Sequence, residues 1–341
     1  MTKPPVIRFK DTQIELAHGA GGKASRRLVE GLIAPLLGNP TLEDAALLNL
    51  GGLPLALTAD SFVVKPLRFP GGSIGELAVN GTVNDLAVSG AKPVALLSTL
   101  ILEAGLPAQI LQDELEAMQR AAQKAGVSVV GGDTKVVEHG KADGLYISTS
   151  GIGLVDGRVS LSAASVRPGD RVLLSGPIGD HGITILLARG ELDLEADLTS
   201  DTRSVWPMVE ALIESVAPGL RWMRDPTRGG VATSLNELAR DARLGLRLHE
   251  DHIPVRDEVR GACEILGLDP LHIANEGQFL AIVAADHAEQ ALEAVRSAGG
   301  AGAALIGDVT EASPGVVYAL TGYGSSRIVD MLVGDPLPRI C

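Results

Sequence analysis

The chain has 341 residues, with 29 basic against 42 acidic side chains and a net charge of −13, a length that suits two ordinary domains. Hydrophobic residues make up 45% and charged residues 21%, with 41 Gly and 19 Pro, which excludes a disordered or fibrous chain. The acidic balance and the scarcity of aromatics (2 Trp, 3 Tyr, 4 Phe) argue against nucleic acid and anionic membrane surfaces as partners.

The N-terminal stretch MTKPPVIRFKDTQ lacks an apolar signal core, and Pro4–Pro5 would interrupt one. Apolar runs such as Val94–Leu102 are too short to span a bilayer. Cys263 and the last residue, Cys341, cannot form a disulfide framework, and no zinc spacing is present. Prenylation needs Cys fourth from the end, so Cys341 is not that signal. The expected location is the cytoplasm, with both thiols reduced.

In chain order, Ile14–Ala17 leads into His18-Gly19-Ala20-Gly21-Gly22-Lys23. This segment fits a G-x-G-x-x-A dinucleotide fingerprint but lacks a surrounding βαβ unit, and it is not a Walker A loop. A mobile glycine loop with a phosphate-seeking Lys23 is the better reading, beside that of a plain turn. Leu53–Ala59 predicts a strand ending at Asp60. Pro107 to Ala125 predicts a helix, with Leu111, Leu115, Met118 and Ala122 at helical spacing and Gly126 closing it. Val127–Val130 predicts a short buried strand running into Gly131-Gly132-Asp133, and Leu145–Val155 another strand.

A Ser-, Gly- and Arg-rich break at Asp156–Asp170 follows. Beyond it, strands are predicted at Arg171–Ser175, near Phe279–Ala284 and near Ala303–Ile306, with helices at Asp201–Val216, Val231–Ala242 and His287–Ser297. The alternation points to an α/β or α+β class, with domains at 1–155 and 165–332 and a tail at 333–341. In that tail Pro336 and Pro338 favour extended geometry. Eight such residues reach about 26–29 Å, making a semi-rigid arm with a thiol at its tip.

Four aspartates stand at strand ends or beside small residues: Asp44, Asp60, Asp85 and Asp133. Carboxylates are hard ligands suited to Mg²⁺, which bridges nucleotide phosphates. Each alone reads as a cap or turn residue, but four of them, with Lys65 and Lys135, point to an ion-and-phosphate site. Asp85 is the most telling, because a charge inside an apolar run is costly. The Asp225-Pro226-Thr227-Arg228-Gly229-Gly230 loop opens a helix, either as an anion site or as an ordinary helix start. Glu276, between Asn275 and Gly277, reads as a base or a turn carboxylate. His249-Glu250-Asp251-His252 lacks metal-protease spacing and reads as a solvated loop, and Cys263 as a buried core thiol.

Together with Asp60-Ser61-Phe62-Val63-Val64, Phe69-Pro70-Gly71-Gly72, Val79-Asn80-Gly81-Thr82-Val83-Asn84-Asp85-Leu86-Ala87, Gly132-Asp133-Thr134-Lys135-Val136-Val137, Gly179-Asp180-His181-Gly182 and the ending Pro338-Arg339-Ile340-Cys341, these motifs resemble the HypE family of hydrogenase maturation proteins. That family lies within the superfamily of aminoimidazole ribonucleotide synthetase and selenophosphate synthetase. The ending is the part specific to the HypE branch. Related kinases of the superfamily place two aspartates where this chain has Glu43-Asp44, so Asp44 alone is carried over.

The resemblance implies an α/β (α+β) two-domain fold of the aminoimidazole ribonucleotide synthetase type. In it the N-terminal sheet pairs across a homodimer with ATP near the interface, beside a C-terminal α/β domain and a flexible tail. It implies that a carbamoyltransferase, HypF, loads a carbamoyl group onto Cys341, and that ATP-driven dehydration converts this group to a thiocyanate. The cyano group then passes to iron on the HypC–HypD scaffold for [NiFe]-hydrogenase. Asp44, Asp60, Asp85 and Asp133 are the expected Mg²⁺ ligands. Gly21, Gly22, Lys23, Lys65, Gly132, Thr134 and Lys135 are the expected nucleotide contacts. Cys341 carries the substrate, Glu276 is the expected base with Asp85 as second choice, and Lys135 also acts in catalysis. A selenophosphate-type enzyme would need a reactive Cys near the N-terminal glycine loop, and none is there. The remaining alternative is a non-catalytic adaptor that uses its tail as a docking peptide. For the enzyme, the arm would alternate between partners outside and the ATP site inside.

Overall fold

The computed structural model describes residues 8–38, 43–190, 196–322, 324–334, 337 and 339–341. Among them, a five-stranded sheet takes the order Ala46–Leu50, Leu53–Phe62, Leu145–Val155, Ala91–Glu103, Ser128–Val137. Its neighbours pair antiparallel except the last two, which are parallel. A parallel pair needs a crossover, and the helix Ala108–Ala125, stopped by Gly126 in the left-handed conformation, supplies it.

The helix Ile74–Val88 lies across one face of this sheet and is buried nearly all round. It packs on the strands, on the helix Ala108–Ala125 and on Trp206–Val216 of the second half. Such a helix has no polar stripe and therefore no amphipathic period, which is why sequence periodicity does not reveal it. Many apolar side chains of this sheet are left exposed: Leu47, Leu48, Leu50, Leu57, Leu97, Val129, Val130 and Val136.

The second half holds a seven-stranded mixed sheet, ordered Ser326–Ile328, Val317–Leu320, Gly245–His249, Ala304–Thr310, Arg171–Leu174, Leu280–Val283, Leu220–Arg224. The helix Gly230–Ala242 covers one face. Trp206–Val216 and Ala288–Ser297 cover the other, in a core that also takes Ala87 and Val88 from the first half.

Several expectations change. The strand from Leu53 does not end at Asp60 but runs on to Phe62. Ser128–Val137 passes through Gly131-Gly132-Asp133 and is exposed on both faces as the last strand at the sheet edge. The predicted helix at Asp201 begins only at Trp206. Residues 201–205 are held instead by contacts with Asn84 and Glu276. His249–His252 is not simply solvated: His249 ends a strand and meets Asp308 at 3.3 Å, and Glu250 pairs with Arg327 at 2.8 Å. Cys263 is buried, and burial pushes its thiol up to about 11, so it stays protonated at neutral pH. No helix among the described residues is long and apolar enough to cross a membrane.

Helix-on-helix packing here depends on Gly75. A Cβ at that position would stand 2.2 Å from the Glu114 carbonyl oxygen. The buried Glu114 carboxylate in turn accepts from the Gly75 N–H at 3.1 Å and from Arg68 Nε at 2.7 Å. Gly75→Ala is therefore expected to destabilise the fold by about 1–3 kcal/mol through overpacking, read as a lower midpoint in urea with an unchanged slope.

Candidate active site

Three carboxylates converge at the junction of the halves. Asp44 precedes the first strand, Asp85 projects from the buried helix, and Asp225 follows the strand Leu220–Arg224. Each offers an oxygen within 4.8 Å of the others. Asp60 stands alongside, its Oδ2 3.3 Å from the Thr82 hydroxyl, one helical turn from Asp85. The Thr58 hydroxyl lies 2.8 Å from Asp85 Oδ2. Arg224 holds Asp44 through Nε at 2.9 Å and Glu237 through Nη1 at 2.8 Å.

Burial pushes the Asp85 carboxyl well above the usual carboxylate range, helped by the charges of Asp60, Asp225 and Asp44. Burial and then Asp44 and Asp60 do the same to Asp225, and burial also raises Asp44 and Asp60. Hard oxygen donors crowded together with little counter-charge suit a divalent cation. Asp133 is placed elsewhere. It is exposed on the edge strand, its oxygens 2.6 Å from Lys135 Nζ and 2.8 Å from the Thr134 N–H, and Lys135 lowers its pKa.

Glu276 is 3% exposed. Its backbone N–H donates to Asp201 Oδ1 at 3.0 Å, and its carbonyl accepts from Asn84 Nδ2 at 3.1 Å. Its Oε1 is buried with no partner among the described residues. Its Oε2 is 3.9 Å from where a Gly81 Cβ would sit, a point only 2.8 Å from Phe62 Cζ. Gly81 thus leaves room for the Phe62 ring, with the Glu276 carboxyl in the next contact. Burial, then Asp225, Asp201 and Asp60, push the Glu276 carboxyl well up.

The chain's end packs in the core cluster that holds Phe62. Val63, next to Phe62, donates its N–H to the Cys341 carboxyl oxygen at 3.1 Å. His181, fully buried, meets the Ile340 carbonyl through Nε2 at 2.6 Å and the Ser200 hydroxyl through Nδ1 at 2.8 Å. A carbonyl only accepts, so Nε2 carries the proton and Nδ1 accepts from Ser200. Burial takes His181 down to about 4, so the ring is neutral. Leu337, Ile340 and Cys341 are 3%, 3% and 9% exposed. The thiol is inside, and Asp335, Pro336 and Pro338 lie outside the described residues.

The other predicted contacts are scattered. Gly21 and Gly22 allow close approach to backbone: Cβ atoms there would stand 2.6 Å from the Arg228 carbonyl oxygen and 2.3 Å from that of Leu332. Lys23 pairs with Asp330 at 2.5 Å and Lys65 with Asp143 at 3.3 Å. Gly132, with Thr134 and Lys135 on the exposed edge strand, abuts the Ser98 carbonyl oxygen, where a Cβ would come within 1.6 Å. A cleft of about 810 Å³ opens beside the carboxylates, lined among others by Glu43, Asp44, Leu47, Leu48, Val159 and Trp222. Of the residues predicted from the sequence, only Asp44 lines it.

Sequence reasoning assigned no site role to Arg224, Asp201, His181 and Asp143, and it placed Asp225 in a loop read as an anion site or an ordinary helix start, not among the metal ligands. Asp225 sits at a strand end as the predicted aspartates do, and that signal was available. His181 and Asp201 gain their meaning from partners 159 and 75 residues away, which no local pattern encodes.

This site and fold define an enzyme class. The chain belongs to the AIR synthase related protein family, whose N-terminal domain matches residues 42–155 and whose C-terminal domain matches 167–319. Within that family it belongs to the HypE carbamoyl dehydratases. It is 49% identical to carbamoyl dehydratase HypE of Azotobacter vinelandii over 98% of this chain and 99% of that one. It is 44% identical to the Escherichia coli K12 protein over 96% and 99%. A crystal structure of a HypE–HypF complex superposes with TM-score 0.85 at 44% identity, covering 89% of this chain and 99% of that chain. A crystal structure of HypE in complex with ATP superposes at 0.81 and 45%, covering 96% and 99%. ThiL from a complex with AMPPCP and TMP, at 20% identity and TM-score 0.68, covering 94% and 99%, shares the fold.

The raised carboxyls make stability depend on pH in one direction. Their folded pKa values exceed the unfolded ones, so stability present below the ordinary carboxylate range is lost as pH rises through the raised values. The metal-free protein should therefore lose Tm as pH rises above the ordinary carboxylate range, and Asp85→Asn should flatten that fall and be the more stable at the upper end. Parallel pH profiles for the two proteins would contradict this account of the cluster.

Proposed function

We propose that this chain carries a carbamoyl group on the Cys341 sulfur and, at the expense of ATP, removes water from it to leave a thiocyanate. The cyano group would then be delivered to the iron of [NiFe]-hydrogenase during maturation. The observation that carries this reading is the burial of the C-terminal cysteine in the core cluster of Phe62, the ring that packs on Gly81 of the helix bearing Asp85. An adaptor displaying its tail as a docking peptide would leave the thiol outside.

Hydroxide leaves an amide carbon badly and phosphate leaves it well, so the amide oxygen must first be phosphorylated. Positioning and charge neutralisation do most of such work. Asp44, Asp85 and Asp225, with Asp60 beside them, would hold a divalent cation, Mg²⁺ in our reading, whose chemistry is to neutralise phosphate charge. Glu276 would then take protons from the nitrogen. Its high proton affinity suits it to strip an N–H that becomes acidic once the oxygen is phosphorylated.

Asp133, Thr134 and Lys135 sit on an exposed edge strand among bare Val129, Val130 and Val136. Their part is therefore best played across a homodimer, reaching nucleotide held mainly by the second copy. Lys65, Lys23, Gly21, Gly22 and Gly132 remain nucleotide contacts in this reading. A HypF-type carbamoyltransferase supplies the group, by likeness to the relative crystallised with HypF. A HypC–HypD-type scaffold receives the product.

Intact mass of the C-terminal peptide tests the scheme. Incubation with the carbamoyltransferase should add one carbamoyl group, and ATP should then remove one water. Cys341→Ala should show neither change. Glu276→Gln should gain the carbamoyl group normally and lose water at least about 10²-fold more slowly. A Cys341→Ala chain that still gained and lost those masses would sink the assignment.

A further inference from the structure

The tail is held by contacts of the kind that recognise a separate peptide. Val63 donates its N–H to the Cys341 carboxyl oxygen at 3.1 Å, and Lys65 donates to the Arg339 carbonyl at 3.4 Å. One partner advances two residues as the other retreats two, so the tail runs antiparallel to residues 63–65, with a left-handed turn at Arg339 (φ 60°). The Ile340 carbonyl between them is taken by His181 Nε2 at 2.6 Å, and Arg189 Nη2 adds a second donor to the Arg339 carbonyl at 2.9 Å.

Side chains are read as well. Ile340 and Leu337 enter the core cluster that contains Val64, Phe69, Ile183 and Ile273. Gly182 makes room, since a Cβ there would meet Leu337 Cδ1 at 3.3 Å. The Arg339 guanidinium pairs with Asp143, which Lys65 also approaches at 3.3 Å and to which Tyr146 donates its hydroxyl at 2.9 Å. All of these groups act on residues 337–341, and none of them depends on the tail being joined to the rest of the chain.

We propose that this groove is a peptide site, specific for a C-terminal Leu-x-Arg-Ile-Cys, that also accepts its substrate in trans. The chain would then dehydrate an S-carbamoyl cysteine at the end of a separate peptide or of another copy's tail. The inference rests on the dehydratase reading above. The step balances as it does in cis: peptide–S–C(=O)–NH₂ and ATP give peptide–S–C≡N, ADP and phosphate. Both bonds from carbon to oxygen break and the oxygen departs on phosphate. Both N–H protons leave, and their electron pairs become the two new C–N bonds. A tether of this kind confers an effective concentration in the millimolar range, so a free peptide at about millimolar concentration matches it.

The test uses a full-length chain carrying Arg339→Glu and Cys341→Ala, whose own tail has no thiol and meets Asp143 with like charge. It is incubated with ATP, Mg²⁺ and the S-carbamoylated peptide of residues 334–341, and the peptide is followed by mass. The peptide should lose one water with saturation at about millimolar concentration. A peptide with Glu at the position of Arg339 should react at least about tenfold more slowly. Adding Asp143→Arg to the chain should reverse that preference, an exchange that a merely structural role for Asp143 would not produce. No water loss from the peptide, while the carbamoylated wild-type chain dehydrates its own tail in parallel, overturns the inference. So do equal rates for the two peptides. A wild-type chain that cannot dehydrate its own tail overturns the dehydratase reading itself, and this inference with it.

Discussion

One buried amide joins the two halves of the molecule. Asn84 donates through Nδ2 to the carbonyls of Arg203 and Glu276, at 3.0 and 3.1 Å, and accepts the Val205 N–H at 2.8 Å. An unpaired buried polar group would be costly, so this set of bonds permits one arrangement of the long buried helix against the second half. Everything chemical hangs on that helix. Its next residue, Asp85, faces Asp44 and Asp225, its Thr82 meets Asp60, and its Gly81 leaves room for the Phe62 ring, with Glu276 in the next contact.

The same junction stores an electrostatic cost. Carboxylates from distant parts of the chain are buried together with Arg224 as the guanidinium that holds Asp44, and their affinities for protons rise as a result. In a purely structural site such crowding would be a defect. In one that takes a cation and phosphates and then strips protons from nitrogen, the crowding is what gives the site its affinity and its basicity. The Glu276 carboxyl, with one buried oxygen left without a partner among the described residues, is the group to which the proposed mechanism gives the proton of the amide.

Much of the fold was legible from local pattern. The helix Ala108–Ala125 and the strand Leu145–Val155 lie where spacing and turn residues put them, because each buries one face and exposes the other. The helix Ile74–Val88 was not legible, since a segment buried on all sides has no period to read. Val127–Val130 was read as a short buried strand because apolar residues usually are, whereas the strand Ser128–Val137 lies at a sheet edge with Val129, Val130 and Val136 exposed. At the site, Asp44, Asp60 and Asp85 were marked by their settings in the sequence, whereas the Asp225 loop stood between an anion site and an ordinary helix start, and Asp143 went unnoticed.

By itself the sequence determined the chemistry available: a thiol on the last residue, aspartates at strand ends, a glutamate between small residues, and the tail motif that distinguishes this branch. Tertiary structure alone decided which of these meet. It drew Asp225 into the carboxylate cluster, kept Asp133 out of it, and brought Cys341 inside through a neutral histidine 159 residues from its carbonyl partner. The reason is physical: residue type and spacing report local conformation, but proximity between remote segments is set by packing and by the need to satisfy buried polar groups, which only the folded chain resolves.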